Sequence, residues 1–126
     1  MDVNGDGLIY LACPYSHQDP VVRAARFEVA NLAAGRLMDE GHLVFSPISH
    51  THPVALAYGL PTGFDYWERY DRAMLSRCSR LVVLTLDGWV ESVGVNAEIR
   101  ISQEFGLPVF LMDWPQEGQT IKVRPW

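Results

Sequence analysis

The sequence predicts an α/β fold, a single open, doubly wound sheet of about five mostly parallel strands with helices on both faces. Short apolar runs recur at 8–13, 42–46, 81–86 and 108–112, each bounded by polar, Gly or Pro residues, as strands buried on both faces are. Segments with apolar residues at helical spacing separate them, and the alternation β-α-β-α-β-α-β is the pattern of parallel strands joined by helical crossovers. The 126 residues suit one domain spanning 1–126, and the content of 48% hydrophobic and 11% aromatic residues supplies a core for it.

Leu8-Ile9-Tyr10-Leu11-Ala12-Cys13 follows the polar Asn4-Gly5-Asp6-Gly7, ends at Pro14 and reads as the first strand. From Pro20 to about Glu40, Val21, Val22, Ala25, Phe27, Val29, Ala30, Leu32, Ala33 and Leu37 recur at helical spacing. Asp19 stands as N-cap, Pro20 at the first helical position and Gly41 at the stop. His42-Leu43-Val44-Phe45-Ser46, closed by Pro47, is the second strand of a βαβ unit. From Ile48 to Gly63 there is no clear periodicity, and Pro53, Gly59, Pro61 and Gly63 punctuate the stretch, so a long functional or mobile connection is expected. A helix from about Phe64 to Cys78, started near Thr62 or Asp65, leads into the central strand Leu81–Leu86. After Asp87-Gly88-Trp89 a helix from Ser92 or Val95 to Phe105 stops at Gly106. Pro108–Met112 is a further strand, and Ile121-Lys122-Val123 is positioned to add an edge strand.

Charge and motifs narrow the function. The formal charge of -5, with no basic run, argues against a nucleic-acid polymer as partner, while a small anion can still bind at a helix N-terminus. Cys13 and Cys78 form no CxxC pattern and no leader-like segment opens the chain, so a reducing, cytoplasmic setting is expected. No apolar stretch approaches the roughly 20 residues of a membrane span. Neither GxGxxG after the first strand nor GxxxxGK[ST] nor GxSxG is present, and no cofactor is expected.

In open α/β sheets ligands bind beyond the carboxyl ends of the strands, at the switch in strand order. Those ends make Tyr15, Ser16, His50, Asp87 and Trp89 candidate ligand contacts. Ser92 and Gly94 lie where backbone amides at a helix start can approach an anion. Glu98, in the first turns of that helix, either faces the pocket or complements the helix dipole. Asp71 stands beside Arg69 and Arg72 and reads as an exposed ion-pair partner unless it meets Glu98. His50-Thr51-His52 has metal-ligating side chains, but the i, i+2 spacing and the lack of a third ligand in a matching motif favour a polar loop that hydrogen-bonds a ligand; no metal is expected. Trp89 suits stacking on a planar base or filling the core, and the cysteines suit the core.

Ile9-Tyr10-Leu11-Ala12-Cys13-Pro14-Tyr15, Asp71 with Leu75, Ser92-x-Gly94-x-x-x-Glu98 and Gly106-Leu107-Pro108-Val109 together resemble the nucleoside 2-deoxyribosyltransferase superfamily, which includes deoxynucleoside 5′-monophosphate N-glycosidases. Phe45-Ser46-Pro47-Ile48-Ser49-His50-Thr51-His52 resembles a subfamily of unknown function. The resemblance spans nearly the whole chain and implies a flavodoxin/Rossmann-like domain. It implies a retaining mechanism in which Glu98 attacks the anomeric carbon, Tyr10 holds that nucleophile, and Asp71 works near the base or the sugar hydroxyls. Ser92 with Gly94 would hold the 5′ end, the partner would be a nucleoside or nucleotide, and a homo-oligomer is implied. Arg23 or Arg26 is the candidate for a phosphate contact, and the Cys13-Pro14-Tyr15 turn departs from the Gly-Pro-Phe-like turn of the transferases. A non-catalytic nucleotide- or nucleotide-sugar-binding module and a plain interaction domain are the competing readings. Convergence of Tyr10, Asp71, Ser92 and Glu98 on one pocket separates them.

Overall fold

The computed structural model describes residues 7–114 and 122–126. Its elements are β1 (Leu8–Ala12), α1 (Pro20–Asp39), β2 (Leu43–Phe45), α2 (Pro47–Tyr58), α3 (Phe64–Leu75), β3 (Arg80–Leu84), α4 (Val93–Glu104), β4 (Val109–Asp113) and β5 (Lys122–Pro125). They form one five-stranded sheet of order β2-β1-β3-β4-β5. The first four strands are parallel and β5 runs antiparallel to β4, so the expected α/β architecture is present. Winding reverses between β1 and β3, where Tyr10 pairs with Leu81 and Ala12 with Val83.

Strand alternation divides the core in two. Ile9, Leu11, Val82, Leu84, Phe110 and Met112 pack on α1 through Ala30, Ala33 and Leu37. Tyr10, Ala12, Leu81, Val83 and Leu111 face the other way, onto Leu75 of α3 and Val95, Ile99 and Ile101 of α4. All five residues of β3 are buried, which is why the four after Arg80 are apolar without alternation.

Helix α1 begins as its sequence predicts: the Asp19 carboxylate accepts from the Val21 N–H at 2.9 Å, and Pro20 follows. Val21 and Leu32, part of its apolar repeat, are nevertheless exposed. The larger departure is α2. Where a long connection was expected, Pro47 starts a helix in which the proline ring sits at a position needing no N–H donor. Pro53 removes a single donor from the interior, and the helix continues through it to Gly59, whose φ of 87° closes the C-terminus. Ile121 lies outside the described residues; the edge strand is seen from Lys122, with Arg124 bonded to Asp113 at 2.8 Å. Among the described residues no helix is long and apolar enough to cross a membrane.

Candidate active site

A cavity of about 650 Å³ lies beyond the carboxyl ends of β1 and β3, where the winding reverses. Four carboxylates line it, Asp65, Asp71, Glu91 and Glu98, and two of them, Asp71 and Glu98, are buried. Glu98 comes from α4, one turn after Gly94, and Asp71 from α3, one turn before the buried Leu75. Exposure is 5% for Glu98 and 9% for Asp71, so both are held out of water. The start of α3 lies against the first turn of α4: a Cβ at Gly94 would sit 3.4 Å from the Phe64 ring, ordinary van der Waals contact.

Burial sets their chemistry. It pushes the Asp71 carboxyl up to about 7, because the charged form loses hydration. Glu98 rises to about 8, first through burial and then through the Asp71 charge, while the Tyr10 hydroxyl acts in the opposite direction. Neither acid has a salt bridge among the described residues; Arg72, the neighbour expected to pair with Asp71, bonds Glu104 instead. Tyr10 is fully buried behind Glu98, and burial, with the two carboxylate charges, keeps its phenol protonated far above 10. The hydroxyl is close enough to Glu98 for each to affect the other's ionisation, yet no hydrogen bond of normal length satisfies it.

Asp71, Ser92, Gly94 and Glu98 line the cavity together with Tyr15 and Ser16, and Tyr10 lies one layer behind. Ser92 caps α4: its Oγ accepts from the Val95 N–H at 3.2 Å, which takes up one of the helix-start amides expected for an anion while the Ser92 O–H can still donate. Three expected contacts lie elsewhere. Asp87 is exposed and meets the site only through its backbone carbonyl, which accepts from Arg26 at 3.2 Å. Trp89 packs its ring on the α3/α4 side of the core. His50 is exposed outside the cavity, its ring stacked on Tyr70 at 6.2 Å, because α2 turns it away from its neighbour His52.

Arg26 and His52 line the cavity as well, and sequence reasoning gave neither a settled place there. The Arg26 guanidinium donates to the Ser16 carbonyl at 3.1 Å and reaches over Gly88, where φ is 91° and a Cβ would come within 2.9 Å of it. The Ser16 Oγ in turn donates to the Thr62 carbonyl at 3.2 Å, so three loops of the rim are tied together. His52 is 7% exposed, stacked on Phe27 at 4.4 Å, with Nδ1 in a short hydrogen bond with the Tyr15 hydroxyl. The Ile48–His52–Ala55 spacing marks this buried face, but only once the segment is read as a helix.

The arrangement defines a doubly wound α/β domain with a carboxylate-lined cavity at its switch point. The chain belongs to the family described as Domain of unknown function (DUF1937), which matches residues 7–114. No curated protein matches it. Among solved structures it is similar to a 2-deoxyribosyltransferase from the psychrotolerant bacterium Bacillus psychrosaccharolyticus, with a TM-score of 0.57 and 24% identity over 91% of this chain and 77% of that one. That protein is described as a biocatalyst for the synthesis of antiviral and antitumoral nucleosides. The likeness is one of fold.

Proposed function

We propose that this chain cleaves or exchanges the N-glycosidic bond of a nucleoside or nucleoside 5′-monophosphate, with Glu98 as nucleophile. The observation that carries this reading is the pair of buried carboxylates, Asp71 and Glu98, facing one cavity at the switch point. The fold shared with a 2-deoxyribosyltransferase supports it.

With Asp71 near 7 and Glu98 near 8, the pair holds between one and two protons at neutral pH and titrates as a unit. Glu98 has the higher proton affinity, and donation from the Tyr10 hydroxyl favours the arrangement in which Glu98 is ionised and Asp71 keeps the shared proton. One protonated and one ionised acid is the state that glycosidic cleavage requires. The ionised Glu98 oxygen bonds to C1′ as the C1′–N bond breaks. The bonding electron pair goes to the base nitrogen, which takes the Asp71 proton. Water or the N–H nitrogen of a second base then attacks C1′ and releases Glu98; in either case the proton lost by the attacking atom returns to Asp71. Tyr10 serves as a positioning residue, its unsatisfied hydroxyl able to donate to the ionised Glu98. A homo-oligomer belongs to the same proposal and is measured by light scattering.

The test is a screen of nucleosides and 5′-monophosphates for free-base release, run with wild type and Glu98→Ala. Release by wild type and loss in a variant that still binds ligand supports the assignment. Undiminished release by the variant removes Glu98 from the chemistry. Saturable binding by wild type with no product from any compound leaves a non-catalytic nucleotide-binding module as the function.

A further inference from the structure

We infer that His52, set by Tyr15, is the residue that reads the heterocycle of the bound nucleoside. The inference rests on taking Asp71 and Glu98 as the sugar end of the cavity. Those acids project from the α3/α4 layer, whereas Tyr15 and Phe27, which hold His52, pack on the α1 layer. The cavity therefore has two unlike walls, Asp71 and Glu98 with the rings of Phe64 and Trp67 on one side, and Tyr15 and His52 with the Arg26 guanidinium on the other. At about 650 Å³ it is within the range of sites that enclose a whole small molecule, so one ligand can touch both.

The imidazole is held on three sides. Phe27 lies against its face at 4.4 Å, the Tyr15 ring meets it edge-on at 5.4 Å, and the Tyr15 hydroxyl occupies Nδ1. Nε2 has no hydrogen-bond partner among the described residues, and His52 lines the cavity. Nε2 is not among the fully buried atoms that lack a partner, so a molecule in the cavity can reach it and supply the missing hydrogen bond. Burial, with Arg23 nearby, lowers the proton affinity of the imidazole and keeps the ring neutral.

A neutral imidazole bonded to a phenol has two arrangements. With the Tyr15 O–H donating to Nδ1, Nε2 carries a proton and donates to the ligand. With Nδ1–H donating to the Tyr15 oxygen, Nε2 accepts. The pair thus offers one directed hydrogen bond of either sense, which matches the edge of a nucleobase, where ring nitrogens and carbonyls accept and exocyclic amines donate.

The experiment compares free-base release from 2′-deoxynucleosides of adenine, hypoxanthine, cytosine and uracil by wild type, His52→Phe and Tyr15→Phe. Both variants keep a ring in place, and Tyr15→Phe loses only a hydroxyl, so it decides the matter should His52→Phe not fold. The expected result is a reordering of kcat/KM among the bases by about tenfold or more, the scale of one hydrogen bond to a buried partner. A role limited to holding the fold lowers all four alike, and an unchanged ranking in the folded variants overturns the inference. Calorimetry with the four free bases runs in parallel. Should wild type release no base at all, the glycosidic reading falls, and calorimetry still decides on His52. Weakening of the preferred base by about tenfold in the variants sustains its role. Equal affinity, or no binding of any base to wild type, ends it.

Discussion

The two faces of this sheet are equally dry and differ in what they bury. Toward α1, Ile9, Leu11, Val82, Leu84 and Met112 form an apolar layer, and the carboxylates buried among the described residues, Asp71 and Glu98, lie outside it. Toward α3 and α4, the alternate residues of the same strands include Tyr10, and the helices bring Asp71 and Glu98 down beside it. One layer gains stability from burial, while the other uses burial to raise the proton affinity of two acids at a cost in stability. The same low-polarity surroundings thus serve folding on one side and chemistry on the other.

Cutting into the first layer should have the largest effect on stability. Leu11→Ala removes a fully buried side chain and is expected to cost about 2–5 kcal/mol, measured by denaturant unfolding. A negligible cost would break the contrast, since it would mean that the α1 face is not the stabilising one.

The second layer should respond with the opposite sign. Glu98 ionises at about 8 in the folded chain against an ordinary value of 4.5, so the folded state holds more protons between those values. Its contribution is fully present below about pH 4.5 and is lost as pH rises through 8, making wild type less stable at alkaline pH. Glu98→Gln is expected to flatten this slope and to stabilise the protein at pH 8 by on the order of a few kcal/mol, while abolishing turnover. Unfolding midpoints from pH 5 to 9 decide it, and a slope kept by the variant would show that Glu98 is not the strained group.

Between the layers, at the rim, Gly88→Ala places a Cβ at a φ of 91° and within 2.9 Å of the Arg26 guanidinium. A loss of roughly 1–2 kcal/mol is expected, and adding Arg26→Ala should relieve the clash while leaving the backbone strain. Equal stability of Gly88→Ala and wild type would contradict that geometry. The smallest effect belongs to a carboxylate outside both layers. Asp113 is held below its ordinary range first by the Arg124 hydrogen bond and then by that of Thr85, so its contribution is lost as pH falls through the lowered value. Because Asp113 and Arg124 are well exposed, solvent screens the pair, and Asp113→Asn should shift the melting temperature only marginally. A large shift would mean that β5 depends on this pair.

What could be read in advance follows from whether the deciding information is local. Asp19, Pro20 and Gly41 announce α1, and the apolar run at 81–84 announces the buried centre of the sheet, because capping and burial leave short-range signatures. Helix α2 was hidden because Pro53, two imidazoles and a flanking Gly read as a loop, while its buried face, Ile48, His52 and Ala55, matters only against α1 and β1. The same holds for the site. Glu98 and Gly94 share a local pattern, but the burial of Asp71 depends on α3 meeting α4, and Asp87, Trp89 and His50 missed the cavity because the turns that aim them are set by packing partners distant in sequence.

Cys13 gives the site a built-in clock. Its thiol lines the cavity, is 6% exposed and, through burial, ionises only at about 12, so it should resist alkylation while the rim is closed. Its labelling rate would then count how often the Ser16–Thr62 and Arg26 ties let go. Cys78, equally buried on the α3/α4 side and away from the cavity, ionises at about 11 and supplies the reference for opening that does not involve the rim. Faster labelling of Cys13 than of Cys78, slowed by a nucleoside, would time access to the site without any substituted residue.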